Sequence, residues 1–95
     1  MAAATVTKKS WGYKVTGGTD ATAVTTDKVR LRSIRLVGTA GAETASVADT
    51  KTDAFYSNVA TTANADYETP FYGVPVDGIR VTLSATTATV YLLLA

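Results

Sequence analysis

Histidine is the commonest general base and cysteine the commonest thiol nucleophile of enzymes, and this sequence contains neither. The commonest general base, the thiol nucleophile and most zinc ligand sets are thereby missing. Serine and threonine hydroxyls abound, but a hydroxyl attacks only when a neighbouring base takes its proton. A lysine would have to serve, and Lys8, Lys9, Lys14, Lys28 and Lys51 all fall in polar stretches. Glycoside chemistry needs two carboxyls about 5–10 Å apart in a cleft. The two glutamates, Glu43 and Glu68, both fall in expected loops. Calcium takes about six to eight oxygens, from regularly spaced acids closed by a glutamate. Neither Asp49 with Asp53 nor Asp66 with Glu68 has that pattern, so both read as solubilising loop acids. No catalytic residue, metal ligand or cofactor is expected.

What remains is recognition. Arg30, Arg32 and Arg35 fall within six residues of one another, and a guanidinium forks equally well onto carboxylates and phosphates. A formal charge of +1 offers little long-range attraction to nucleic acid. Contact with a subunit or protein partner is therefore preferred. A plain solvated face comes second, and a strand of nucleic acid held between the arginines and Tyr56 or Tyr91 comes last. Trp11, Tyr13, Tyr67, Phe71 and Tyr72 cluster in two segments and could stack on sugars. Only Asn58 and Asn64 carry side-chain amides to accompany them, and glutamine is absent. Rings in so small a domain more often fill a core or an interface.

The elements that must position these groups are strands. Threonine and alanine make up about a third of the 95 residues, and no helical apolar spacing persists. Trp11, Tyr13 and Val15 alternate with Gly12 and Lys14, as do Phe55, Ser57 and Val59 with Tyr56 and Asn58. Ile79, Val81 and Leu83 form the cleanest strand face, opposite Arg80, Thr82 and Ser84. In residues 29–37, Val29 and Leu31 share a face, but Ile34 and Leu36 return to it only if one extra residue enters at Ser33. A β-bulge there, or a strand crossing between sheets, would bring Arg35 beside Arg30 and Arg32. Weaker segments are 20–27, an edge strand or loop, and 44–48, a short strand. Residues 67–72 form an edge or extended loop because Pro70 lacks a donor. Residues 74–78 (Val-Pro-Val-Asp-Gly) read as a turn. The expectation is an all-β, antiparallel sandwich or jelly-roll-like domain of seven to eight short strands over residues 10–95. A small, polar arm over residues 1–9 precedes it.

The last strand, Thr89 to Leu94, is apolar on both sides, and such a strand is covered on both sides. A two-layer domain supplies one cover. Val90, Tyr91, Leu92, Leu93 and Leu94, with Phe71 and Tyr72, are therefore the candidate self-association surface. Trp11, Arg30, Arg32 and Arg35, with the arm, are the candidate contacts to another protein. The start lacks the apolar stretch of a signal peptide, and no run is long enough to cross a bilayer, so a soluble chain made in a cytoplasm is expected.

The order strand, acidic-threonine loop, aromatic segment, then Pro75-Val76-Asp77-Gly78-Ile79-Arg80-Val81 and a closing Val90-Tyr91-Leu92-Leu93-Leu94 resembles the small β-sandwich virion proteins of tailed bacteriophages. The likeness covers residues 29–95 and is nearest to capsid decoration, or cement, proteins. It implies a homotrimer on the capsid surface, bound to the major capsid protein, sometimes with an N-terminal arm reaching a neighbour. Localisation would be the virion, after synthesis in the host cytoplasm. A tail, adaptor or fibre-base subunit is the nearest alternative, and a small glycan-binding module the next.

Overall fold

With β-branched residues throughout and no helical spacing, the backbone satisfies its hydrogen bonds by pairing strand to strand. The computed structural model describes residues 3–39, 41, 43–51, 54–59 and 65–95. Met1, Ala2, Asp53 and residues 60–64, Asn64 among them, lie outside the described residues. The described residues form β1 (Thr5–Lys9), β2 (Gly12–Thr16), β3 (Thr22–Gly38), β4 (Thr44–Ala48), β5 (Ala54–Val59), β6 (Ala65–Leu83) and β7 (Ala88–Leu94). All seven belong to one sheet of order β1-β2-β7-β3-β6-β4-β5, antiparallel at each pairing. The chain is thus all-β and sandwich-like.

A flat sheet of this width would leave an apolar face in water, because no described helix covers it. The sheet instead folds over on itself, and β3 and β6 allow it to do so. They run 17 and 19 residues, against about five or six for an ordinary strand. The C-terminal half of β3 lies between β7 and the first half of β6. Its N-terminal half pairs with the second half of β6, which also carries β4. Register shifts at Ala23/Thr25 and Thr25/Lys28 mark the bend, and such bulges sharpen local twist. Two layers result, and their inner faces meet.

That packing is continuous. Val6, Val15, Val90, Leu36 and Tyr67 lie side by side across the first layer. Thr22, Val81, Val47 and Tyr56 do the same across the second. Leu31, Ile34, Leu36, Ile79, Val90 and Leu92 are fully enclosed, in one cluster drawn from both layers. Both sides of the sandwich are tied. On one, Ala3 bridges Asp20, and the Ala4 amide donates to Thr22 Oγ1 at 3.0 Å. On the other, the Phe71 ring meets Phe55 and Tyr56, each at 6.1 Å between centroids.

Residues 5–9, expected as an arm outside the domain, are instead β1, the outer strand of the first layer. β1 pairs with β2 from Thr5↔Thr16 to Lys9↔Gly12. Its sequence is polar because one edge and one face meet water, and lysines are usual on such edges. Residues 74–78, expected to reverse the chain, lie within β6, and their proline and glycine bend the strand instead. Residues 20–27, an edge strand or loop by pattern, supply from Thr22 the N-terminal half of β3. Among the described residues the strands therefore number seven, two of them long instead of all short.

Tyr56 is 6 % exposed, and its hydroxyl has no hydrogen-bond partner among the described residues. A buried donor left unpaired costs about 1–3 kcal/mol. Tyr56→Phe is expected to match the parent or exceed it by about 1 kcal/mol in urea unfolding.

Candidate interaction surface

The outer face of the first layer is laid out in cross-strand rows. One row runs Thr7, Lys14, Tyr91, Arg35, Glu68 across β1, β2, β7, β3 and β6. The next runs Lys9, Gly12, Leu93, Ser33, Pro70. Trp11 leaves the β1–β2 turn and leans on the Tyr91 ring, with centroids 5.9 Å apart and planes at 47°. Its carbonyl accepts from the Leu94 amide at 2.9 Å, which pins the turn to the end of β7. Arg35 also lies over Tyr91, its guanidinium carbon 5.6 Å from the ring centroid. Trp11, Arg35, Tyr91 and Leu93 line one open depression of about 390 Å³.

Arg35 is already engaged. Its Nε donates to Asp66 Oδ1 at 2.7 Å, and Nη2 donates to Oδ2. The Arg35 hydrogen bond, together with its charge, holds the Asp66 carboxyl below the usual carboxylate range against a smaller desolvation effect. A carboxyl with a depressed folded value stabilises the native state above its unfolded pKa, about 3.9. That contribution disappears as pH falls through the lower folded value. Both side chains are nearly half exposed, so solvent screens the pair. Asp66→Asn is expected to lower the melting temperature slightly at pH 7 and not at all at the acid end of a pH 2–7 series. An equal loss at every pH would show that packing, not charge, is what Asp66 supplies.

The three arginines all point away from the core, as the bulge between Leu31 and Ser33 requires. They do not make one cationic strip. Arg35 is neutralised by Asp66, whereas Arg30 reaches the Gly73 carbonyl at 3.3 Å and Arg32 is exposed. Ser33 itself is buried and donates to Glu68 Oε2 at 2.9 Å.

The two-sided terminal strand divides sharply. Val90 and Leu92, expected at a self-association surface, are wholly enclosed in the chain's own core and offer nothing to another copy. The cause is position: β7 sits between β2 and β3, so its inward face fills the sandwich. Tyr91, Leu93 and Leu94 are half-buried. Phe71 is also half-buried, against Phe55 and Tyr56. Tyr72 is different. It is 89 % exposed and is the single non-glycine residue with positive φ, at 56°, among the described residues.

The Tyr72 backbone belongs to a second irregularity. Between Leu31↔Val74 and Ser33↔Pro70, β6 has three residues where β3 has one. These three, Phe71 to Gly73, bulge out of the edge of the first layer. Gly73 packs near Ala95, whose amide donates to the Arg30 carbonyl at 2.9 Å. Trp11, Leu94, Arg30, Tyr72 and Val74 thus share one rim, with Trp11 38 % and Val74 43 % exposed.

Sequence reasoning missed a cleft beside that rim. Asp49, Phe55, Phe71, Val74, Pro75, Val76 and Asp77 line about 370 Å³ between the bend of β6 and β5. The apolar 74–76 run was its available signal, hidden by the turn-like proline and glycine. Glu43, read as a loop acid, is 2 % exposed and accepts from the Thr87 hydroxyl at 2.6 Å. Among the described residues no three acids converge as a metal site would require. Comparison with protein-family models, curated proteins and solved structures finds no match.

Proposed function

We propose that this chain is a non-enzymatic structural protein of a tailed-bacteriophage virion, a capsid decoration protein acting by adhesion to its own copies and to the capsid lattice. One observation carries the adhesive part of that reading: a large aromatic, Tyr72, is held almost entirely in water on a left-handed backbone. Positive φ in a bulky residue persists where the surroundings enforce it, and such sites cluster at ligand clamps and switches. Arg30 and Trp11 on the same rim belong to the residue types that anchor protein interfaces. Lys8 and Lys9 follow closely, lining a groove with Trp11 and Leu94. The assignment to a virion comes from the sequence resemblance. Many weak contacts, repeated over a shell, add up through multivalency.

Mass spectrometry of purified virions is expected to find the protein in many copies per particle. Tyr72→Ala and Trp11→Ala chains should be retained less than the parent on particles lacking it. A chain absent from virions that binds an oligosaccharide array through Trp11 or Tyr72 would make it a glycan module instead. Few copies, confined to the tail, would make it a tail or adaptor subunit.

A further inference from the structure

The rim and the cleft are complementary, and both belong to the same chain. Tyr72 projects from β6 next to Gly73, whose carbonyl accepts from Arg30, and two residues before the exposed Val74, while the adjoining cleft is lined by apolar side chains with Asp49 and Asp77. Backbone pairing along this edge is blocked. Pro70 and Pro75 lack donors, and Tyr72 and Gly73 both take left-handed φ, 56° and 78°. An incoming molecule must therefore dock through side chains.

We infer that Tyr72 of one copy inserts between Phe55, Phe71 and Pro75 of a second copy, and that the second copy reciprocates. This rests on the self-association proposed above and names the contact that produces it. A knob and its receptor lying side by side on one edge bring two copies together about a two-fold axis, where each contact is made twice. Charge favours a second copy over an unrelated partner. The knob carries Arg30, which reaches the Gly73 carbonyl next to Tyr72, and the receptor is lined by Asp77, exposed across the ladder from Lys28, so Arg30 of one copy meets Asp77 of the other. The tyrosine hydroxyl arrives at the same carboxylate margin and can donate there.

The size of the contact sets its strength. Two exchanged aromatic side chains bury about 300–500 Å², and a stable interface needs roughly 1,200 Å² or more. The charged margin must supply the remainder, so the pair forms and dissociates at micromolar concentration in solution and is reinforced where copies are concentrated on a lattice. The trimer that the resemblance implies is replaced in this account by a dimer.

Sedimentation velocity over a micromolar concentration series tests the contact on the full chain. The parent is expected to pass from monomer to dimer, and Tyr72→Ala to weaken dimerisation at least about tenfold. Being exposed, Tyr72 can change without loss of fold, which circular dichroism checks. A charge-swap pair is the stricter test. Asp77→Arg alone and Arg30→Asp alone should each dimerise poorly, whereas an equimolar mixture should form the heterodimer. A parent dimer that tolerates Tyr72→Ala, or a mixture that fails to pair, overturns the contact and leaves self-association standing. A parent that stays monomeric throughout overturns self-association as well. A monomer whose retention on virions needs Tyr72 would assign the rim to the lattice instead, which also overturns the exchange.

Discussion

Leu92→Ala is expected to destabilise this protein by about 3–4 kcal/mol, while Leu93→Ala, one residue on, should cost under about 1 kcal/mol. Leu92 is fully enclosed at the centre of the first layer, paired across the sheet with Tyr13 and Ile34. Its truncation removes transfer free energy and leaves a cavity that three fixed strands cannot close. Leu93 stands on the outer face over Gly12 and Ser33, half-buried, where its loss opens no void. For a domain of this size each kcal/mol moves the melting temperature about 4–8 °C, so Leu92→Ala should melt roughly 12–30 °C lower. Total stability on the order of 5–14 kcal/mol makes that a large share. Urea denaturation of the two variants decides the matter. Equal losses would mean that β7 is not divided into a core face and a surface face.

Gly12→Ala should be nearly as damaging, for a different reason. Gly12 opens β2 at φ 149°, directly opposite Leu93. A Cβ placed there would lie within the van der Waals envelope of the Leu92 carbonyl oxygen. The obstacle is backbone, so no side-chain rotation relieves it. The β2–β7 ladder must open at that end, and the turn carrying Trp11 moves with it. A loss of about 2–4 kcal/mol is expected, by analogy with other strained backbone sites. A second readout is local: the chain has one tryptophan, so its fluorescence reports whether Trp11 has left Tyr91. A loss below about 1 kcal/mol with unchanged emission would show that β2 can shift to admit the methyl group.

The Tyr72 bulge contrasts with both. It breaks a local backbone rule without filling any part of the core, and locally inconsistent positions of this kind are expected at functional sites. Tyr72→Gly should leave stability within about 1 kcal/mol of the parent, since relief of the left-handed strain offsets the entropy of a glycine. Any loss it causes in assembly is then not a loss of fold.

Much of the architecture is legible in the amino acids alone. Alternation identifies the strands at 12–16, 55–59 and 79–83, and the slip between Leu31 and Ile34 calls for a bulge or a crossing between sheets before any partner is known. These are properties of side-chain period, which a single strand carries by itself. The absence of histidine and cysteine likewise limits chemistry without reference to shape. Tertiary structure alone decides which strand lies beside which. A polar stretch such as residues 5–9 becomes a strand because β2 offers it backbone partners, and backbone hydrogen bonds leave no trace in side-chain type. The same reason hid the bend of β6, where Pro75 and Gly78 serve a curved strand as readily as a turn. It also hid the enclosure of Val90 and Leu92, since two apolar faces demand two covers but do not say whose. The core supplied one of them. On the other face, Trp11 and Arg35 lean on Tyr91, leaving the surface open only in part, and the most exposed ring belongs to Tyr72.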